Sequence, residues 1–125
     1  MTYLPDTNIL IYALSGKEPY QTSANAWIEE HQLVLSSIVI AEYLSNTTRS
    51  EELSFHKLMK TCRVLPVDAD VAIQAAAYRK QFTRKQKKVW LIDCLIAATC
   101  KVFDATLVTS DKRDYPMIDI PIVTS

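Results

Sequence analysis

A chain of 125 residues suffices for one domain with a substantial core and is short for two. With 49% hydrophobic residues it can bury enough surface to fold, which excludes a disordered tail. Fourteen basic residues balance fourteen acidic ones, so bulk charge does not mark a nucleic-acid binder, and any polyanionic partner must be held by local patches.

TYLP reads as a short strand ending near Asp6, and TNILIYAL as the helix after it, closed by SGKEP around the chain's only glycine, Gly16. One glycine excludes the glycine-rich loops that cradle phosphates, because those need backbone that approaches the ligand closely. QTSANAWIEEHQ sets Ala24, Trp27 and Ile28 at helical spacing. LVLSS is a second strand, and IVIAEYLSNTT a helix entered through Ser36 and Ser37, both good caps. EELSFHKLMKTC follows as an amphipathic helix with Leu53, Leu58 and Met59 inward. RVLPVD is a third strand, and ADVAIQAAAYRKQF a helix of strong helix formers. After a basic turn come the helix WLIDCLIAATCKVF, the strand ATLVTS and a last short strand, IPIVT.

This alternation implies an α/β domain with a mostly parallel sheet covered on both faces. Residues 1–125 read as a single domain without repeats. Cys62, Cys94 and Cys100 form no C-x-x-C pair and read as free thiols of a reducing cytosol. The start MTYLPDTNIL lacks the parts of a signal peptide, and no apolar run reaches the ~18–20 residues of a membrane span. The expectation is a cytoplasmic protein without a membrane partner.

In open α/β sheets, ligands bind at the carboxyl ends of the strands. Asp6 ends the first strand. Asp93 lies in the first turn of an otherwise apolar helix, where a carboxylate needs a partner. Thr109, Ser110 and Asp111 end the strand ATLVT, with Asp114 one short turn beyond. Glu42 stands one turn into the helix after the second strand, on the face of Ile38, Val39, Ser45 and Asn46. Singly, each has a structural use. Asp6 can cap a helix, Asp93 can favour a helix dipole, Glu42 can reach solvent, and TSDKRD can be an Asp turn. Gathered at one sheet edge, they would repel each other unless they shared a cation. A hard divalent ion, Mg²⁺ or Mn²⁺, suits carboxylate and water oxygens.

Four stretches then carry a resemblance to PIN-domain ribonucleases, in size most like the VapC-type toxins of toxin–antitoxin modules. They are LPDTNILIYAL, SSIVIAEYL around Glu42, IDCLIAATC around Asp93, and ATLVTSDKRDY. The likeness spans the whole chain in order and spacing. It implies a PIN-like three-layer αβα sandwich with a central, mostly parallel sheet of four or five short strands. Asp6 and Asp93 match the family's most dependable metal ligands, and Glu42 its acid after the second strand. Thr109 and Asp111 match the last motif, and Asn8 a supporting polar position. Between Asp111 and Asp114 as fourth acid, Asp111 is favoured because it lies closer to the strand end, and Asp114 stays open. Tyr115 stands where the family usually has Phe, and the segment before Asp93 is more basic and less glycine-rich than usual.

The implied activity is metal-dependent endoribonuclease cleavage leaving 5′-phosphate and 3′-hydroxyl ends, with catalytic acids Asp6, Glu42, Asp93 and Asp111. A metal-free route through the 2′-hydroxyl calls for paired general acid and base, most often histidines. The two histidines here, His31 and His56, fall on predicted surface helices. RKQFTRKQKK gathers Arg79, Lys80, Arg84, Lys85, Lys87 and Lys88 just before the Asp93 helix. Arg84, Lys85, Lys87 and Lys88 are the candidate RNA contacts. Family resemblance further implies a homodimer and a cognate antitoxin, with Trp27 and Tyr20 as candidate contacts unless they pack in the core. Two alternatives stand beside this reading. One is a phosphoacceptor receiver domain using Asp68, Thr109 and Lys112; the other is a non-catalytic PIN-fold RNA-binding module. A haloacid-dehalogenase-like phosphatase would need an acid at Asn8.

Overall fold

The computed structural model describes residues 1–83 and 88–124. Five short strands are present: β1 (Tyr3–Pro5), β2 (Val34–Ser36), β3 (Arg63–Leu65), β4 (Thr106–Thr109) and β5 (Ile122–Thr124). Six helices alternate with them: α1 (Thr7–Leu14), α2 (Tyr20–Glu29), α3 (Ser37–Leu44), α4 (Arg49–Met59), α5 (Ala69–Phe82) and α6 (Leu91–Phe103). A single 3₁₀ turn, Lys112–Asp114, follows β4.

All ladders are parallel. β1 pairs with β4 and β4 with β5, while β2 pairs with β3. A parallel bridge between Tyr3 and Leu33, with the Tyr3 N–H donating to the Gln32 carbonyl at 2.8 Å, joins the two ladders. The strand order is therefore 3-2-1-4-5. The chain steps outward from β1 through β2 to β3, then returns past β1 to β4. Right-handed crossovers place the helices of the outward and return steps on opposite faces of the sheet. The expected sandwich and its parallel sheet of five strands are thus observed.

The core forms where the sheet meets these helices. Leu4, Leu35 and Leu107 from the strands are fully buried, as are Val39, Val71 and Ala97 from the helices. β2 and β4 are buried throughout, so they read as apolar runs rather than as alternating patterns, while the edge strands β3 and β5 are largely exposed. Cys94 and Cys100 are buried in α6, and burial pushes the Cys100 thiol up to about 12. The candidate partner contacts Trp27 and Tyr20 are engaged within the fold. Trp27 stacks on Tyr3 at 4.8 Å, and Tyr20 leans on Tyr12 at 5.1 Å.

Two expectations change. Leu53, expected inward on α4, is 49% exposed, while Phe55 is the buried residue at 1% and packs on Tyr43 at 4.6 Å. Positions 53 and 55 lie about 200° apart on a helix, so one core-facing stripe cannot hold both. The α6 helix is not apolar all round in its environment: its first residues, Leu91 and Ile92, face solvent, and burial begins at Cys94.

Local caps match the start signals in the sequence. Asp6 caps α1, Ser36 caps α3 and Asp68 caps α5. Thr48 and Glu51 form a reciprocal capping box on α4. Thr48→Ala leaves the Glu51 N–H without its side-chain acceptor and is expected to cost about 1 kcal/mol, read as a lower urea midpoint at unchanged slope.

Candidate active site

The direction of the chain reverses between β1 and β4, the two central strands, so a crevice opens at their carboxyl ends. Asp6 is the first residue past β1. Its N–H donates to the Val108 carbonyl at 2.9 Å, fixing it against β4. One carboxylate oxygen accepts the Ile9 N–H at 3.0 Å and so starts α1. Asp6 is a cap and a wall of the crevice at once.

Three further acids reach the same cavity, whose volume is about 150 Å³: Glu42 from α3, Asp93 from the first turn of α6, and Asp114 from the turn after β4. Thr7 and Asn8, which open α1, line it as well. The Thr7 hydroxyl donates to the Glu42 carboxylate, tying the first motif to the second. Tyr115 closes the floor, with its hydroxyl 3.5 Å from the other Asp6 oxygen. Thr109 is buried beneath, close enough to favour the ionised Asp6, while its hydroxyl accepts the Asp111 N–H at 3.2 Å.

The charges in this cavity oppose one another. Burial raises the Asp6 carboxyl above its ordinary value, against hydrogen bonds from Thr109, Ile9 and Tyr115 that favour ionisation. Asp93 is pushed up to about 6, first by burial, then by the charges of Asp114, Glu42 and Asp6. The Tyr115 phenol, buried beside the same charges, is raised far enough to remain a hydrogen-bond donor throughout. The donor set is entirely hard oxygen. Among the described residues, no three acid, histidine or cysteine side chains are drawn close enough to enclose an ion unaided. That arrangement fits an ion that keeps several of its waters and takes only one or two carboxylates directly, as Mg²⁺ does.

The structure brings Asp114, rather than the favoured Asp111, to the cavity. Asp111 does not line the cavity. It caps the 3₁₀ turn and accepts both the Arg113 backbone N–H and its guanidinium, at 2.8–3.2 Å. Asp114, at the end of that turn, faces the other acids instead. Asp111 precedes the turn in extended backbone, with φ −142° and ψ 102°, and is drawn to Arg113, so the residue nearer the strand end is not the one that reaches the cavity. His56 lies on exposed α4 beside Glu52, and His31 lines a cleft with Thr2, Cys62 and Arg63, at the amino ends of β1 and β3. Both are away from the acids.

A model of the PIN domain matches residues 3–120. The chain belongs to the PIN domain family. Ribonuclease VapC10 of Mycobacterium tuberculosis is 28% identical over 120 residues, covering 93% of this chain and 87% of that one. Ribonuclease VapC2 of Rickettsia felis is 27% identical, covering 94% and 92%. Among solved structures, a toxin–antitoxin complex from Klebsiella pneumoniae matches with a TM-score of 0.80 and 27% identity, covering 98% of this chain and 97% of that one. VapBC2 of Rickettsia felis bound to a promoter DNA fragment has a TM-score of 0.83 at 20% identity and covers 100% and 99%, a likeness of fold.

In this PIN domain the receiver alternative loses its central residue. Asp68 is exposed and committed to capping α5, accepting the Val71 N–H at 3.0 Å, and it does not line the acidic cavity. Of the basic candidates, Lys88 lies beside the site, in a second groove described below. Arg84, Lys85 and Lys87 lie outside the described residues. Sequence reasoning overlooked Thr7 as the holder of Glu42. Its one signal was a hydroxyl directly after Asp6, in the first turn of a helix starting at the crevice.

Proposed function

We propose that this PIN domain is a metal-dependent endoribonuclease and the toxin of a toxin–antitoxin pair. The observation that carries the reading is the convergence of Asp6, Glu42, Asp93 and Asp114 on one small cavity at the switch point of the sheet, with Asp93 pushed up to about 6. Mutually repelling carboxylates that stay together at the carboxyl edge of a sheet are poised for a divalent cation. The relatives named ribonucleases, at 28% and 27% identity over nearly the whole chain, support the substrate class.

Asp6, Glu42 and Asp93 would hold Mg²⁺ or Mn²⁺, with Asp114 completing the negative rim and Asp111 acting as a structural cap. When bound, such an ion supplies an activated water and neutralises charge on a scissile phosphate. The chain does the rest. Asp6 is held by the Ile9 N–H and by the Tyr115 hydroxyl. Thr7 fixes Glu42, and Asn8 at the exposed mouth is placed to meet the sugar-phosphate chain. Lys88 and Arg79 at the neighbouring groove draw the polyanion toward an otherwise repelling site.

The 125 residues act as one domain. Among the described residues, no helix is long and apolar enough to cross a membrane, and the protein is proposed to work in the cytoplasm. Ile11 and Leu14 on α1 and Leu53 on α4 stand exposed, an apolar surface suited to a cognate antitoxin or a second copy of the chain.

The test is incubation with total RNA in Mg²⁺ or Mn²⁺, with and without EDTA, followed by mapping of the ends. Fragments with 5′-phosphate and 3′-hydroxyl termini are expected, and only while the metal is present. Undiminished cutting in EDTA would end the metal-dependent reading.

A further inference from the structure

Beside the acidic cavity lies a second, larger groove of about 500 Å³, and the two share Glu42 and Asp93 as their common wall. Its volume falls within the range of about 300–1,000 Å³ typical of small-ligand sites. Its character is different from that of the cavity. Trp90 is 63% exposed, and the adjoining Leu91 and Ile92 are 47% and 43% exposed. Two cations, Arg79 and Lys88, line the same groove. Among the described residues, no carboxylate forms an ion pair with either of them. The Lys88 ammonium instead stands 5.2 Å from the centre of the Trp90 ring.

Apart from that contact with Lys88, an indole left in solvent beside cations without a carboxylate partner has no structural use here. Trp90 starts α6 without providing a side-chain cap, and the buried part of that helix begins only at Cys94. Aromatic surface for a base and positive charge for a phosphate are the two elements by which proteins grip single-stranded nucleic acid.

Resting on the nuclease reading above, we propose that this groove is a nucleotide subsite. It takes one unpaired base of the RNA, next to the scissile phosphate, stacked on the Trp90 indole, with the adjoining phosphate held by Arg79 and Lys88. A base inside a duplex has both faces covered by its neighbours, so the subsite selects RNA that is single-stranded or looped out at that position. Stacking needs only a π-face, so it selects strandedness more strongly than base identity.

The test is binding of a fluorescein-labelled single-stranded RNA, followed by anisotropy in EDTA so that no strand is cut. Trp90→Ala is expected to weaken binding by about 5- to 150-fold, and Trp90→Phe to recover most of that loss. The wide exposure of Trp90 predicts an unchanged thermal midpoint for both variants. Lys88→Gln should reduce the slope of log affinity against log salt by about 0.7. Binding of a blunt duplex of the same sequence should be equal for Trp90→Ala and the natural chain.

Equal binding of the single strand by Trp90→Ala and the natural chain overturns the subsite. So does a loss of the same size on duplex RNA, or a loss confined to a protein partner. The two readings fail separately. RNA cut normally with no effect of Trp90→Ala on binding leaves the nuclease and removes the subsite. Weakened binding by Trp90→Ala in a chain that cuts no RNA leaves the subsite and removes the nuclease.

Discussion

Asp93→Asn is expected to make the metal-free protein more stable near neutral pH while lowering RNA cleavage by at least about 10²-fold. The stability gain follows from the electrostatics of the cavity. Asp93 is raised from 3.8 to about 6 in the folded chain. Such a difference corresponds to at most about 3 kcal/mol. Because the group is only half-buried, solvent screening reduces this to about 1–2 kcal/mol. For a chain of this size that is a rise in thermal midpoint of about 3–8 °C.

The sign sets the pH window. Folding holds the Asp93 proton more tightly than the unfolded chain does, so the protonated carboxyl favours the fold. That contribution is complete below 3.8 and is lost as the pH climbs through about 6. Asparagine resembles the protonated acid and does not titrate. The two chains should therefore melt alike below about pH 3.8, diverge as the pH rises toward about 6, and keep a constant gap above it, with the variant ahead. Melting curves in EDTA across that range are the measurement. An asparagine variant that is less stable at neutral pH, or a gap that ignores pH, would show that the carboxylates do not repel one another as described.

The second large effect separates the two acids after β4. Asp114→Asn is expected to reduce kcat/KM for RNA by about 10- to 100-fold, the size seen when a supporting carboxylate of a metal site is lost. Asp111→Asn should stay within about threefold, because Asp111 pairs with the exposed Arg113 and does not line the cavity. Asp114 is also the first-ranked charge acting on Asp93, so Asp114→Asn should move the acid limb of the pH–rate profile downward, whereas Asp111→Asn should not. The opposite pattern would return the fourth place to Asp111.

Much of this site could be read before any coordinates. Asp6, Glu42 and Asp93 follow strands or open helices in a chain whose alternation is plain, and the carboxyl edge of a parallel sheet collects whatever polar groups sit there. The caps Asp6 and Ser36 were legible for the same reason, since each precedes a helical run, whereas Asp68 was read only as a phosphoacceptor. The step from Asp111 to Asp114 was not, because it depends on a three-residue turn and on Arg113 engaging the nearer acid. Proximity along the chain is a poor guide where the backbone tightens. Phe55 and Leu53 show a similar limit, since helical spacing defines a stripe but not which stripe meets the sheet. Trp90, Leu91 and Ile92 looked like core by composition. They are exposed although Val89 just before them is buried, because the first turn of α6 lies at the surface and its burial starts at Cys94.

The pairing of β1 with β4 sets Tyr3 opposite Thr106, so the two ends of the chain are knitted together at the middle of the sheet. Tyr115 meets Asp6 across 109 positions of sequence. The crevice therefore exists only while β1 and β4 stay paired, and local opening of either strand dissolves it without unfolding the rest of the domain.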